Sequence, residues 1–193
     1  MIHNLPNFLP VFRIMSIPAL VLAFQLPGAW ANWTALLIFV VAGLTDYLDG
    51  MLARKLGATT DFGRMLDPIA DKMLAAAAIL MLLVTGNIPL VPALIIICRE
   101  ILVSGLREYL GNREVKILVS SLAKWKTATQ FAALGMLLAG EAVIWPKGLF
   151  WSMSEIGTVL LWAAAALTVV TGYSYWKIAY GYIVAGEDRG LGR

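Results

Sequence analysis

Long apolar stretches separated by short polar connections recur along the whole chain. A bilayer core is crossed by a helix of about 17 to 25 mostly apolar residues, and six stretches of this sequence have that length and character. They lie near residues 8–26, 31–53, 66–86, 89–110, 121–143 and 156–183. The pattern predicts an all-α integral membrane protein with six transmembrane helices.

The short connections leave no linker that could separate a second domain, so residues 1–193 are predicted to form one membrane-embedded domain. The segment 4–12 is a candidate for a helix that lies along the interface before the chain enters the membrane. Composition agrees with this class, because 60% of the residues are hydrophobic, only 14% are charged, and the mean hydropathy is +0.79. A soluble domain of this length does not have that composition.

Lysine and arginine are distributed unevenly over the predicted connections. Three alternate connections, residues 25–33, 85–89 and 140–155, contain together a single lysine, Lys147, and no arginine. The termini and the other two connections carry the cations Arg13, Arg54, Lys55, Arg64, Lys72, Arg107, Arg113, Lys116, Lys124, Lys126, Lys177, Arg189 and Arg193. Because short cytoplasmic loops accumulate positive residues, both termini are predicted to be cytoplasmic.

The remaining composition narrows the class of partner. The predicted external ends carry Trp30, Trp33, Trp145 and Trp151, which suit the headgroup layer. The net charge of +3 is modest and lies at one membrane face, which favours anionic lipids and phosphates over nucleic acid. A single cysteine, Cys98, excludes a disulfide framework and a cysteine metal site.

Four aspartates stand at the cytoplasmic ends of the second and third predicted helices, where carboxylates are costly unless something compensates them. They are Asp46, Asp49, Asp67 and Asp71. At 100° per residue, the segment from Asp46 to Arg54 places its polar and small residues within an arc of about 140°. Pro68 could begin the third helix or lie inside a helix that began earlier. The earlier start is favoured, because it aligns Gly63 with the two aspartates that follow.

Four neighbouring carboxylates cannot all stay ionised without cations. Oxygen-only donors favour magnesium or manganese, with calcium as an alternative and zinc disfavoured. The number of carboxylates suits two metals about 4 Å apart, an arrangement that supports in-line displacement at phosphorus. Gly50, Ala53 and Gly63 leave room for a bulky ligand beside the backbone, and Arg54 offers a forked donor to its phosphate.

The complete spacing, Asp-x2-Asp-Gly-x2-Ala-Arg-x8-Gly-x3-Asp-x3-Asp, resembles the signature of the CDP-alcohol phosphatidyltransferase family at every defined position. The resemblance implies a six-helix membrane enzyme, usually a homodimer, that moves a phosphatidyl group from a CDP-linked lipid to an alcohol and releases CMP. The four aspartates would hold two Mg²⁺ or Mn²⁺ ions, and Asp71 would also accept the proton of the acceptor hydroxyl. The cytidine diphosphate would be received by Gly50, Ala53, Arg54 and Gly63.

Further cations point to the acceptor. Arg99 and Arg107 share a stripe of the fourth helix, and Lys126 shares another with Gln130 at the start of the fifth. Several cations near the metals suggest an anionic acceptor, although Arg99 could instead be a structural partner of Glu100 or Asp71.

Residues 4–18, 98–108 and 124–130 resemble segments of bacterial phosphatidylglycerophosphate synthases, apart from Ala123, where glycine often precedes the lysine. This likeness implies CDP-diacylglycerol as donor and sn-glycerol 3-phosphate as acceptor, with the acceptor phosphate held by Arg99, Arg107 and Lys126. It also implies a place in the bacterial cytoplasmic (inner) membrane among its lipids, with a polar cavity and the active site facing the cytoplasm.

Two other functions are compatible with parts of the pattern. A family member could use another acceptor, such as an inositol phosphate, serine or a second lipid, but a phosphate-free acceptor would leave the arginines of the fourth helix without a role. A divalent-cation transporter would need polar residues continuing toward the external face. After Lys72 the third span reads MLAAAAILMLLV, which provides no such path.

Overall fold

The computed structural model describes residues 5–56, 61–111, 121–140 and 151–190, and within these ranges the chain forms six α-helices and no β-strand. The helices are α1 (Leu5–Ala23), α2 (Ala29–Leu56), α3 (Asp61–Val84), α4 (Leu90–Gly111), α5 (Ser121–Ala139) and α6 (Met153–Gly190). The predicted all-α class is confirmed, and each helix overlaps one of the six predicted spans.

Specific local interactions set two of the helix ends. Gly86, with φ of 73°, closes α3, and the amides of Gly86 and Asn87 donate to the carbonyls of Leu83 and Leu82 at 3.0 and 2.9 Å. These two hydrogen bonds, with glycine at the left-handed position, form a Schellman motif. At the start of α6, Ser152 and Glu155 each accept a hydrogen bond from the other's backbone amide, at 3.2 and 2.6 Å, which forms a capping box.

Pro68 lies inside α3, which begins seven residues earlier at Asp61. The earlier start of the third helix is therefore confirmed, and Gly63, Asp67 and Asp71 lie on one continuous helix. Since proline has no N–H group, the carbonyl four residues before it lacks its usual helical partner. At the other end of the chain, α1 runs unbroken from Leu5 to Ala23, and a separate interfacial helix near residues 4–12 stays a prediction.

One helix of the described chain, α6, has a segment long and apolar enough to cross a membrane, Met153–Tyr182. Shorter apolar segments cover Pro10–Ala23 in α1 and Ala29–Thr45 in α2. Charged residues interrupt other helices, as Arg99, Glu100 and Arg107 do in α4. The helices thus match the predicted spans in position. For α6, length and composition also support directly that the helix crosses a bilayer.

All six helices contribute to a single apolar core, with α1 against α2 and α3, and with α6 against α4 and α5. The contact of α5 with α2 depends on a close approach. The rings of Phe39 and Phe131 stack with centroids 4.4 Å apart. Gly43, one turn after Phe39, faces the same Phe131 ring so closely that a Cβ atom would overlap it. This contact fixes the middle of α5 against α2, about one turn before the acidic motif.

Replacing Gly43 with alanine should lower the stability of the protein by about 1–3 kcal/mol, because the Phe131 ring is held by Phe39 and cannot move aside freely. Gly105→Ala in α4 is the matched control. An added Cβ there meets nothing within 4 Å, and alanine should be neutral or stabilise the helix by up to about 1 kcal/mol. Thermal unfolding in detergent tests the pair, and equal effects of the two changes would contradict the close contact.

Candidate active site

The structure places the aspartate motif at the junction of two helices. Asp46, Asp49, Gly50, Ala53 and Arg54 lie on the last three turns of α2, which continues to Leu56. Gly63, Asp67 and Asp71 lie in the first half of α3. The backbone therefore brings both halves of the motif to one end of the bundle. The side chains of Asp46, Asp49, Ala53 and Arg54 lie outside the described residues, as does the surrounding of Gly63.

Asp67 and Asp71 are the two motif carboxylates whose side chains the structure describes. They lie one turn apart on α3, both are half-buried, and both interact with neighbouring groups. Among described side chains, no three carboxylate, histidine or cysteine groups come together. This follows from the motif, because the other two predicted ligands are on α2. The chemistry of the set, oxygen donors from carboxylates alone, fits a hard divalent cation.

Arg99, in the middle of α4, is held by groups of two helices. Its Nη1 donates to Glu100 Oε1 at 3.3 Å, and its Nη2 donates to Thr171 Oγ1 of α6 at 3.0 Å. Gly172 permits this approach, since a Cβ there would lie 3.2 Å from the Arg99 Cγ. The alternative of a structural pair with Glu100 is thus observed. The pairing leaves Arg99 Nε buried with no partner among the described residues.

Arg107, two turns further along α4, reaches the same neighbouring helix. Its Nη2 donates to the Tyr175 hydroxyl at 3.0 Å, and its guanidinium carbon lies 5.4 Å from the centroid of the Tyr175 ring. The Arg99 guanidinium lies 6.0 Å from the same centroid. Tyr175, only 5% exposed, therefore contacts both arginines, and both distances are within the range of cation–π attraction.

Lys126 completes a cluster of cations at the start of α5. Its ammonium group pairs with Glu100 Oε1, the same oxygen that accepts from Arg99. The side chains of Lys126, Arg99 and Glu100 are 5%, 13% and 21% exposed. One carboxylate thus pairs with two largely buried cations, and the cluster borders the same space as Asp71 of α3.

A small cavity of about 50 Å³ joins the acidic and cationic parts of the site. Asp71 lines it from α3, Glu100 from α4, and Lys126 and Gln130 from α5. Sequence reasoning selected Asp71 and Lys126 separately, and the structure shows that they border one space. Lys72 of α3 also lines it. Arg99 is linked to its wall through Glu100, and Arg107 lies further along α4, where it contacts the same Tyr175 ring as Arg99.

Sequence reasoning did not identify the two α6 residues that contact the arginines, Thr171 and Tyr175. Each is an ordinary residue of an apolar helix, and the spacing of four that places both on one face carries no chemical signature. The burial of Arg13 was not predicted either. The charge pattern counted it among the cytoplasmic flanking cations, whereas its side chain is completely buried within the bundle.

The chain belongs to the CDP-alcohol phosphatidyltransferase family, whose model matches residues 3–170. Relatives named CDP-diacylglycerol–glycerol-3-phosphate 3-phosphatidyltransferase cover nearly its whole length. The Rickettsia felis protein is 46% identical over 179 residues, which are 93% of this chain and 97% of the relative. The Haemophilus influenzae protein is 42% identical over 94% of this chain and 96% of its own. The Salmonella choleraesuis protein is 40% identical over 92% and 96%. The predicted family is confirmed.

Substitution of Lys126 by methionine should destabilise the protein by about 3 kcal/mol, because it removes a cation from a buried pair. In the double variant Lys126→Met with Glu100→Gln, the loss of unfolding free energy should be smaller than the sum of the losses in the two single variants, by about 1–3 kcal/mol. Thermal unfolding of the four proteins in detergent provides the cycle. Strict additivity would contradict the Lys126–Glu100 pairing.

Proposed function

We propose that the protein transfers the phosphatidyl group of CDP-diacylglycerol to sn-glycerol 3-phosphate, giving phosphatidylglycerophosphate and CMP in phospholipid biosynthesis. The relatives with this printed activity cover more than nine tenths of the chain. The structural observation that carries the proposal is the cavity shared by Asp71 and Lys126, with Arg99 linked to its wall through Glu100. It offers a carboxylate for a hydroxyl and cations for a phosphate.

The acceptor phosphate is assigned to Arg99, Arg107 and Lys126. Glu100 already pairs with Arg99 and Lys126 in the free protein. An incoming phosphate would replace the carboxylate as their partner, so that binding would not require these two cations to be desolvated anew. An uncharged acceptor would give no anionic partner to Arg107, whose described partner is a neutral hydroxyl. This electrostatic argument favours a phosphate-bearing acceptor over serine or a second lipid.

The donor is assigned to the motif at the junction of α2 and α3. Asp46, Asp49, Asp67 and Asp71 would hold divalent metal, for which two Mg²⁺ or Mn²⁺ ions are proposed. When bound, the metal neutralises the diphosphate and the departing CMP. Members of the family generally depend on such an ion. The cytidine diphosphate is assigned to Gly50, Ala53, Arg54 and Gly63, where small residues leave space and the arginine can donate to phosphate.

Catalysis is proposed to be a direct displacement. Asp71 takes the proton of the primary hydroxyl of glycerol 3-phosphate, and the oxygen attacks the phosphorus that carries the diacylglycerol. A new phosphorus–oxygen bond forms while the bond from that phosphorus to the bridging oxygen breaks, and CMP leaves with the electron pair. No covalent intermediate on the protein is required.

We place all six helices across the bacterial cytoplasmic membrane, with both termini and the site at the cytoplasmic face. Large apolar side chains exposed on different helices, including Leu37, Leu80, Leu94 and Val169, support lipid contact. Trp30, Trp33 and Trp151 are exposed at the ends of helices opposite the site, as expected of interfacial anchors; Trp145 lies outside the described residues. A homodimer, a single domain over residues 1–193 and the absence of nucleic-acid partners are parts of the same proposal.

The acceptor is tested by measuring CMP release from CDP-diacylglycerol and Mg²⁺ by the purified protein in detergent, with glycerol 3-phosphate, inositol phosphate or serine added singly. Release with glycerol 3-phosphate alone, and a product mass of phosphatidylglycerophosphate, is the expected result. Release with a different acceptor would keep the family activity and contradict the assigned substrate.

Asp71→Asn should reduce turnover by about 10²–10⁴-fold, the usual contribution of a positioned base, while the protein still folds. Glu108→Gln, which removes an exposed carboxylate from α4, is the control and should keep wild-type turnover. Substantial activity of the Asp71 variant at saturating Mg²⁺ would contradict its assignment as base.

Tyr175→Phe should raise KM for glycerol 3-phosphate about 3–10-fold with little change in kcat, because the hydroxyl that positions Arg107 is lost. The KM for CDP-diacylglycerol should not change. Tyr173→Phe is the matched control, since Tyr173 is 67% exposed two residues away. An equal effect on both Michaelis constants would indicate general disruption and contradict a role at the acceptor phosphate.

A further inference from the structure

Gln130 has a polar atom that the bundle leaves unsatisfied. Its side chain is only 7% exposed, and its Oε1 is buried without a hydrogen-bond partner in the described part of the chain. A buried amide oxygen is almost always paired, because its loss of contact with water is otherwise uncompensated. An unpaired one at a cavity wall indicates that a ligand or a water completes it.

The location of Gln130 narrows the choice of ligand. Gln130 lines the small cavity together with Asp71 and Lys126. It also lines an adjoining apolar cavity of about 190 Å³ between α3 and α4. Lys126 and Gln130 are four residues apart on α5, so their side chains lie on one face. A base, a cation and an amide oxygen therefore border the same space.

These three groups correspond to the three functional groups of the proposed acceptor. Asp71 is assigned to the primary hydroxyl and Lys126 to the phosphate, which leaves the secondary hydroxyl between them. We infer that Gln130 Oε1 accepts a hydrogen bond from this 2-hydroxyl and thereby selects a phosphorylated vicinal diol. The inference rests on the proposed function and adds a residue that determines acceptor specificity.

A bound water is the competing partner for Gln130. The volume of the small cavity is enough to hold one, and a water would satisfy Oε1 without any role in selection. The two possibilities differ in their consequences for a substrate that lacks the 2-hydroxyl. If the hydroxyl is the partner, its absence leaves the amide oxygen buried and unpaired in the complex, and the substrate is rejected.

The test compares glycerol 3-phosphate with 3-hydroxypropyl phosphate, which keeps the primary hydroxyl and the phosphate and lacks the 2-hydroxyl. The wild-type protein should prefer glycerol 3-phosphate in kcat/KM by at least about 10-fold. Gln130→Leu should reduce the preference to within about threefold, through loss of activity on glycerol 3-phosphate. Gln130→Met, an unbranched replacement of similar length, should do the same and serves if the leucine variant does not fold.

Gln25→Leu is the matched control, because Gln25 is exposed in the connection between α1 and α2, and it should keep the wild-type preference. If the wild-type protein turns over glycerol 3-phosphate but the Gln130 variants retain the full preference, the inference is wrong and a water is the partner of Oε1. A wild-type protein that does not discriminate between the two acceptors would also overturn it. Failure of the wild-type protein to use glycerol 3-phosphate at all would instead contradict the proposed function.

Discussion

An ionised side chain inside an apolar helical bundle must be compensated by an opposite charge, a hydrogen-bonding network or a ligand. The arrangement of the polar residues follows from this constraint. Glu100 pairs with both Arg99 and Lys126, and α6 provides a threonine hydroxyl and a tyrosine for the guanidinium groups of α4. The largely buried charges of α4 and α5 therefore lie together, and an apolar core to which all six helices contribute lies beside them.

Among the described residues, the charged groups near Asp71 are only partly paired with opposite charges, which leaves cations that an anionic substrate can contact. Lys72, Lys126 and Glu100 line the space beside Asp71, and a neutral hydroxyl is the described partner of Arg107. In the proposed function, Arg99, Arg107 and Lys126 hold the acceptor phosphate, and the four aspartates hold divalent cations. The stability of the free protein and its proposed chemistry thus depend on the same residues, so that changes at Glu100 or Lys126 should affect both.

Most of the architecture could be predicted from the sequence, because apolar stretches of one helix length and a long acidic signature are strong patterns. The position of Pro68 inside α3 followed from the alignment of Gly63 with Asp67 and Asp71. The support given by Thr171 and Tyr175 could not be predicted, since it depends on how α6 packs against α4. The burial of Arg13 could not be predicted for the same reason, because a charge pattern along the chain does not reveal which cation the neighbouring helices cover.

The central claim is that the carboxylates of α2 and α3 act together and are compensated by divalent metal. Binding of Mn²⁺ to the purified protein, followed by electron paramagnetic resonance, tests this claim most directly. The account predicts saturable binding of two ions per chain, with loss of binding in Asp49→Asn on α2 as well as in Asp67→Asn on α3. Absence of saturable binding, or binding that either substitution leaves unchanged, would contradict a shared site.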